Sequence, residues 1–202
     1  MDLEYREPAK PRIVVFAGSL RQESLHRKLA KAAAAALEVA GANTIHVELK
    51  DYPMPLYDGD LENSVGIPDS VKALGKIMRD CDGLAIASPE YNGSFSPLVK
   101  NVIDWISRPH PGERHSVAFR GKVAGLLSAT PGSGGGSRGL RHLREVLQAL
   151  AVAVIPEEVA IPRALDAFDG QGRLVKPADL QLLENWANKL LRAGTQAKTT
   201  AA

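Results

Sequence analysis

Short, uniformly apolar runs alternate along the chain with longer stretches in which apolar residues recur every three or four positions. Residues 12–17 (RIVVFA) are a β-branched run closed by Gly18. From Ser24 onward Leu25, Leu29, Ala32, Ala33, Ala36 and Leu37 fall at helical spacing. This pattern predicts a strand, a turn and a helix. Further strands are expected at 44–49, at 83–88 (GLAIAS), at 122–128 and at 151–156. Further helices are expected at 69–79 with Asp69 as cap, at 97–107 with Pro97 in the first helical position, at 139–150 and at 178–192. A proline-rich connection spans 51–68, long enough to need a function of its own. Residues 1–11 form a polar extension, 12–193 a single domain, and 194–202 a tail expected to fray.

Strands alternating with helices favour right-handed crossovers, and these wind into an α/β three-layer sandwich with a five-stranded parallel sheet. Open sheets of this kind bind ligands beyond the carboxyl ends of their strands. The loops after the first, third and fourth strands are therefore the candidate site.

Composition narrows the function. Of 202 residues 45% are hydrophobic and 5% aromatic, so the core is aliphatic, as in an ordinary globular domain. The net charge of +2 comes from 25 basic and 23 acidic residues without blocks of either sign, which gives no electrostatic footprint for nucleic acid. The alanine-rich stretch 31–42 is broken by Glu38 and Gly41 and is too short to span a membrane. A lone cysteine, Cys81, forms no internal disulfide and holds no metal by itself. It reads as core filler, and the polar N-terminus lacks an export signal, so a cytoplasmic location is expected.

The first loop, Gly18-Ser19-Leu20-Arg21-Gln22-Glu23-Ser24, brings two hydroxyls and a guanidinium ahead of a helix N-terminus. It is either an anion site suited to phosphate or an ordinary N-cap with a solvated arginine. The second, Pro89-Glu90-Tyr91-Asn92-Gly93-Ser94, combines an aromatic, an amide and a glycine, a mixture that suits a flat polar ring but also an ordinary turn. The third, residues 130–139 (TPGSGGGSRG), has more glycine than a connection requires, so its backbone is expected to approach something closely.

Gly134, Gly136 and Gly139 match a dinucleotide fingerprint, with Glu157 and Glu158 after the next strand, yet too little chain follows to build the second half of such a fold. Gly135, Ser137 and Gly139 match a nucleophile elbow, which needs a later histidine; the last of the five is His142. His110 and His115 read as surface residues without metal-ligand spacing, and Trp105 and Trp186 as packing or interface residues.

Taken together, GSLRQES, SPEYNGSFSPLVKNVIDW and SATPGSGGGSRG, in this order across about residues 12–156, resemble the NAD(P)H-dependent FMN reductase family, whose fold is flavodoxin-like and whose relatives reduce quinones, azo compounds and chromate. The resemblance implies FMN as cofactor and NAD(P)H as co-substrate. It implies that Ser19, Arg21 and Ser24 hold the phosphate, with His26 nearby where the family commonly has asparagine. It implies that Pro89, Glu90, Tyr91, Asn92 and Gly93 lie against the isoalloxazine, and that Ser128, Gly132 and Gly135 lie near its pyrimidine side. Quinones would be the acceptors and no catalytic side chain is needed. A homodimer or homotetramer would form through the 51–68 loop and the end of the 101–108 helix. The competing readings are a flavin-binding electron carrier or redox sensor without turnover, and a nicotinamide-binding protein without flavin.

Overall fold

The computed structural model describes residues 10–109 and 116–201; His110 and His115, expected at the surface, lie outside them. Strand β1 (Arg12–Ala17) leads into α1 (Leu25–Ala40) and β2 (Asn43–Val47). After these come α2 (Gly59–Val65), α3 (Asp69–Arg79), β3 (Gly83–Ala87) and the two-residue strands β4 (Glu90–Tyr91) and β5 (Ser94–Phe95). The chain continues through α4 (Pro97–Ile106), β6 (Val123–Ala129), α5 (Ser137–Ala149), β7 (Ala153–Ile161) and α6 (Pro177–Ala201). Five strands form one parallel sheet in the order β2-β1-β3-β6-β7. This is the doubly wound order expected for a flavodoxin-like fold.

The strand alternation explains the layers. Ile13, Val15 and Ala17 point into the core shared with α1 and α6, which contains Leu29, Leu37, Leu183 and Trp186. Val14 and Phe16 point into the opposite core, with Leu74, Met78, Trp105, Leu143 and Leu147. Cys81 belongs to the second core, its thiol donating to the Met78 carbonyl at 3.2 Å, and burial raises its pKa, so it is packed rather than reactive.

Helix ends follow local chemistry. Ser24 caps α1, accepting from the N–H groups of His26 and Arg27, and Gly41 ends it with φ of 113°. Ser96 caps α4 by accepting from Val99 N–H at 3.2 Å, with Pro97 in the first turn as expected. The expected cap of α3 is corrected: Pro68 occupies that position, and Asp69 is the first helical residue, pairing instead with Lys72.

The long connection is latched onto α4 rather than open. Asn101 Nδ2 and Trp105 Nε1 both donate to the Pro55 carbonyl at 2.8 Å, and Tyr57 N–H donates to Asn101 Oδ1 at 2.8 Å. The Tyr57 ring meets the Trp105 ring edge-on at 5.0 Å, and Arg108 pairs with Glu62 of α2 at 2.8 Å. Sequence reading missed α2 because seven residues among prolines and glycines carry no periodicity.

Strand β7 outruns its expected end at Pro156. The pairing shifts from Ala124↔Val154 to Leu126↔Glu158, so Pro156 sits in a bulge on an edge strand, where its missing N–H costs no ladder bond. Helix α6 likewise outruns 178–192. Gly194 lies against Pro11 and Ile13, and Ala197 packs on the core, so burial carries the helix past the point where fraying was expected.

Candidate functional site

The ends of β1, β3 and β6 deliver the three loops to one edge of the sheet, and short contacts hold the loops together. Gly18 N–H donates to the Ala87 carbonyl at 2.8 Å, and Ser88 N–H to the Leu127 carbonyl at 2.9 Å. Ser88 Oγ accepts from Ser96 N–H at 3.2 Å, which folds the second loop back over its own strand. The third loop is anchored at its far side, where Arg163 N–H donates to the Gly132 carbonyl at 3.0 Å.

In the first loop Ser19 Oγ accepts from Arg21 N–H at 3.4 Å, and Ser24 Oγ is engaged as the cap. Among the described residues no acceptor faces the N–H groups of Leu20, Gln22, Glu23 and Leu25, and the exposed Arg21 guanidinium has no partner. Several amide donors, a guanidinium and the positive end of a 16-residue helix thus meet in one turn. Leu20 is 56% exposed in the middle of this turn; an apolar residue in a polar loop was the signal, and sequence reading passed over it.

The second loop is a hairpin, β4 paired antiparallel with β5, that sequence reading did not resolve. Asn92 at φ 51° and Gly93 at φ 80° form the turn, the left-handed pair that such hairpins favour. Tyr91 and Asn92 are exposed, Pro89 is buried, and a side chain added at Gly93 would meet nothing within 4 Å. The Glu90 carboxylate is turned away from solvent toward α5, accepting from Gly139 N–H at 3.2 Å and pairing with Arg138 at 3.3 Å.

In the third loop Gly132 and Gly134 border open space, whereas Gly135 and Gly136 are buried. A Cβ on Gly135 would come 2.9 Å from the Ala160 backbone, and one on Gly136 would come 2.0 Å from Ser128 Oγ. Ser128 is fully buried and faces His26, whose Nε2 lies 3.3 Å from its hydroxyl and accepts from Ala129 N–H at 3.3 Å. His26 and Ser128 thus join α1 to the end of β6 beneath the loops. Arg21, Tyr91, Asn92, Gly93 and Gly132 remain at the surface.

The His26 geometry requires a neutral ring, since a proton on Nε2 would confront the Ala129 N–H. Burial lowers its pKa from 6.5 to about 4. The folded value lies below the unfolded one, so the unfolded chain takes up the proton first. The associated stability is complete above pH 6.5 and is lost as the pH falls toward 4. This group alone is expected to remove roughly 2 kcal/mol between pH 7.5 and pH 5. Urea unfolding at the two pH values should show a smaller loss for His26→Asn than for the wild type; equal losses would mean that the folded ring takes up its proton as readily as the unfolded one.

The alternative motif readings do not survive the geometry. Glu157 and Glu158 lie within β7, Glu158 paired with Arg144 at 2.7 Å, and not beyond a strand where a ribose could reach them. Ser137 Oγ donates to the Gly134 carbonyl at 2.8 Å, and His142 on α5 faces Ser94 instead, so no nucleophile-base pair forms there. Among the described residues no cluster of His, Cys, Asp and Glu could hold a metal ion, and no helix is long and apolar enough to cross a membrane. A cavity of about 1030 Å³ between α1, α6 and the 170–174 turn shares only Gln22 and Glu23 with the loops, and of the cations lining it Arg27, Lys28 and Arg173 are paired with Glu48, Glu23 and Asp169.

Comparison with known proteins gives the family of the chain. The family model of NADPH-dependent FMN reductase matches residues 11–166. An NAD(P)H-dependent FMN reductase of Pseudomonas aeruginosa is 36% identical over 188 residues, covering 89% of this chain and 96% of the relative. A quinone reductase of Escherichia coli is 36% identical over 150 residues, covering 72% of this chain and 74% of the relative. Among solved structures, FerB, a flavoenzyme NAD(P)H:(acceptor) oxidoreductase from Paracoccus denitrificans, superposes with a TM-score of 0.78 at 25% identity, covering 92% of this chain and 98% of that one. With its sheet order, its three loops and a family match over most of its length, the chain is an oxidoreductase of the NADPH-dependent FMN reductase family.

Proposed function

We propose that this chain binds FMN along the carboxyl edge of its sheet and uses it to pass electrons from NAD(P)H to quinones. The observation that carries the reading is the donor set of the first loop. Unpartnered N–H groups of Leu20, Gln22, Glu23 and Leu25, together with Arg21 at a helix N-terminus, match the needs of a phosphate dianion. The open backbone at Gly93, Gly132 and Gly134 fits a planar ring, because a side chain there would occupy the space the ring requires. When bound, the flavin supplies hydride acceptance from NAD(P)H and release of the electrons to an acceptor. The residues of the chain bind and orient it, and exposed Leu20 and Tyr91 offer apolar surface beside the loops for a flat acceptor.

The quinone acceptor is taken from the relatives named above. A homodimer or homotetramer belongs to the same proposal, supported by Leu56 and Val65, both strongly exposed apolar residues flanking the latched connection. A cytoplasmic setting is supported by the single buried thiol. The test is a visible absorption spectrum of the isolated protein, followed by NADPH oxidation with a quinone. Flavin absorbance and turnover above that of free FMN are expected. Failure to retain added FMN would overturn the proposal, and flavin binding without turnover would support an electron carrier instead.

A further inference from the structure

We propose that Glu90 is a positioning residue for the flavin site: from the second loop it caps α5 and so fixes the spacing between the hairpin and the glycine-rich loop. The inference rests on the FMN reading given above and adds how that site is held in shape.

The need for an outside cap follows from Gly136. It occupies the N-cap position of α5 with φ of 89°, and no side chain there accepts from the first turn. A side chain is excluded, since its Cβ would sit 2.0 Å from Ser128 Oγ. Ser137 N–H finds the Gly134 carbonyl at 3.2 Å, but the next two N–H groups, of Arg138 and Gly139, and the positive dipole end are not satisfied by the helix or the loop before it. Glu90 supplies the missing acceptor across 49 positions of chain. Its Oε2 takes the Gly139 N–H at 3.2 Å and its Oε1 lies 3.3 Å from Arg138, with the carboxylate side chain only 15% exposed. The Arg138 side chain is 71% exposed, so the ion pair contributes little and the N–H bond is the part that counts.

Two further contacts follow the same seam. A Cβ on Gly139 would stand 3.2 Å from the Ser94 carbonyl, so the hairpin backbone lies directly on the first turn of α5, and His142 Nδ1 is 3.2 Å from Ser94 Oγ. A hairpin of two two-residue strands does not hold its shape alone. Its Asn92–Gly93 turn is held relative to Gly132 and Gly134 because the seam holds it, and a site formed before its ligand arrives binds more tightly.

The experiment compares wild type, Glu90→Ala, Glu90→Gln and Arg138→Ala as apoproteins, by FMN fluorescence titration and by hydrogen exchange at the Gly139 amide. Glu90→Ala is expected to raise the FMN dissociation constant about fivefold to tenfold and to abolish protection at Gly139. Glu90→Gln, which keeps an acceptor oxygen, should restore both to within about threefold, and Arg138→Ala should stay within about twofold of wild type. The proposal is overturned if Glu90→Ala keeps wild-type FMN affinity and a protected Gly139 amide, or if Glu90→Gln falls as far as Glu90→Ala. Failure of the wild type to bind FMN would instead strike the functional reading, while exchange at Gly139 would still decide whether the cap exists.

Discussion

Gly136→Ala is expected to destabilise the protein by about 3 kcal/mol, from the left-handed backbone and the forced overlap together. For a chain of this size that corresponds to a fall in melting temperature of roughly 6–12 °C. The backbone holds φ of 89° there, and the added methyl would lie 2.0 Å from Ser128 Oγ and 2.7 Å from its Cβ. Ser128 has no room to retreat, because it is fully buried against the His26 ring. Gly132→Ala is the matched comparison: its new methyl meets nothing within 4 Å and the backbone has no positive φ, so a change within about 0.5 kcal/mol is expected. Thermal unfolding of the two variants side by side checks the argument. Equal stability would mean that the start of α5 is not built as described.

Arg21→Ala is expected to weaken FMN binding by about 10-fold to 100-fold, the worth of a charge-assisted hydrogen bond to phosphate, while apoprotein stability stays close to wild type. The guanidinium is exposed and bonds to no described residue, so removing it leaves no buried group unsatisfied. Arg21→Lys separates forked recognition from simple charge and should recover part of the affinity. A titration showing unchanged affinity for Arg21→Ala would remove this residue from the site.

Much of the fold was legible because it is written in local spacing. The apolar runs at 12–17 and 83–88 sit at the sheet centre, where both faces are covered, and the Ser96-Pro97 pair opens α4 by capping chemistry within four residues. The edge strand was less legible, since a proline that ends a central strand is harmless in a bulge at the rim.

For the site, the positions of the three loops were readable, but the directions of their side chains were not. Glu90, His26 and Ser128 stand in or directly beside the three loops, yet each bonds to a protein group 49 to 103 positions away in sequence. No local pattern encodes such a partner; it exists only once the parallel sheet has brought the strand ends together. The Pro55 latch was hidden for the same reason, because its donors lie 46 and 50 residues further along.

The two tryptophans lie in opposite layers, and their indole nitrogens have different fates: Trp105 donates to the Pro55 carbonyl, whereas Trp186 Nε1 is buried over Gly125 with no acceptor among the described residues. Each is therefore a built-in optical reporter for one face of the molecule. Single-tryptophan versions would show by their emission whether the two halves of the sandwich melt in one step or in sequence, without an attached dye.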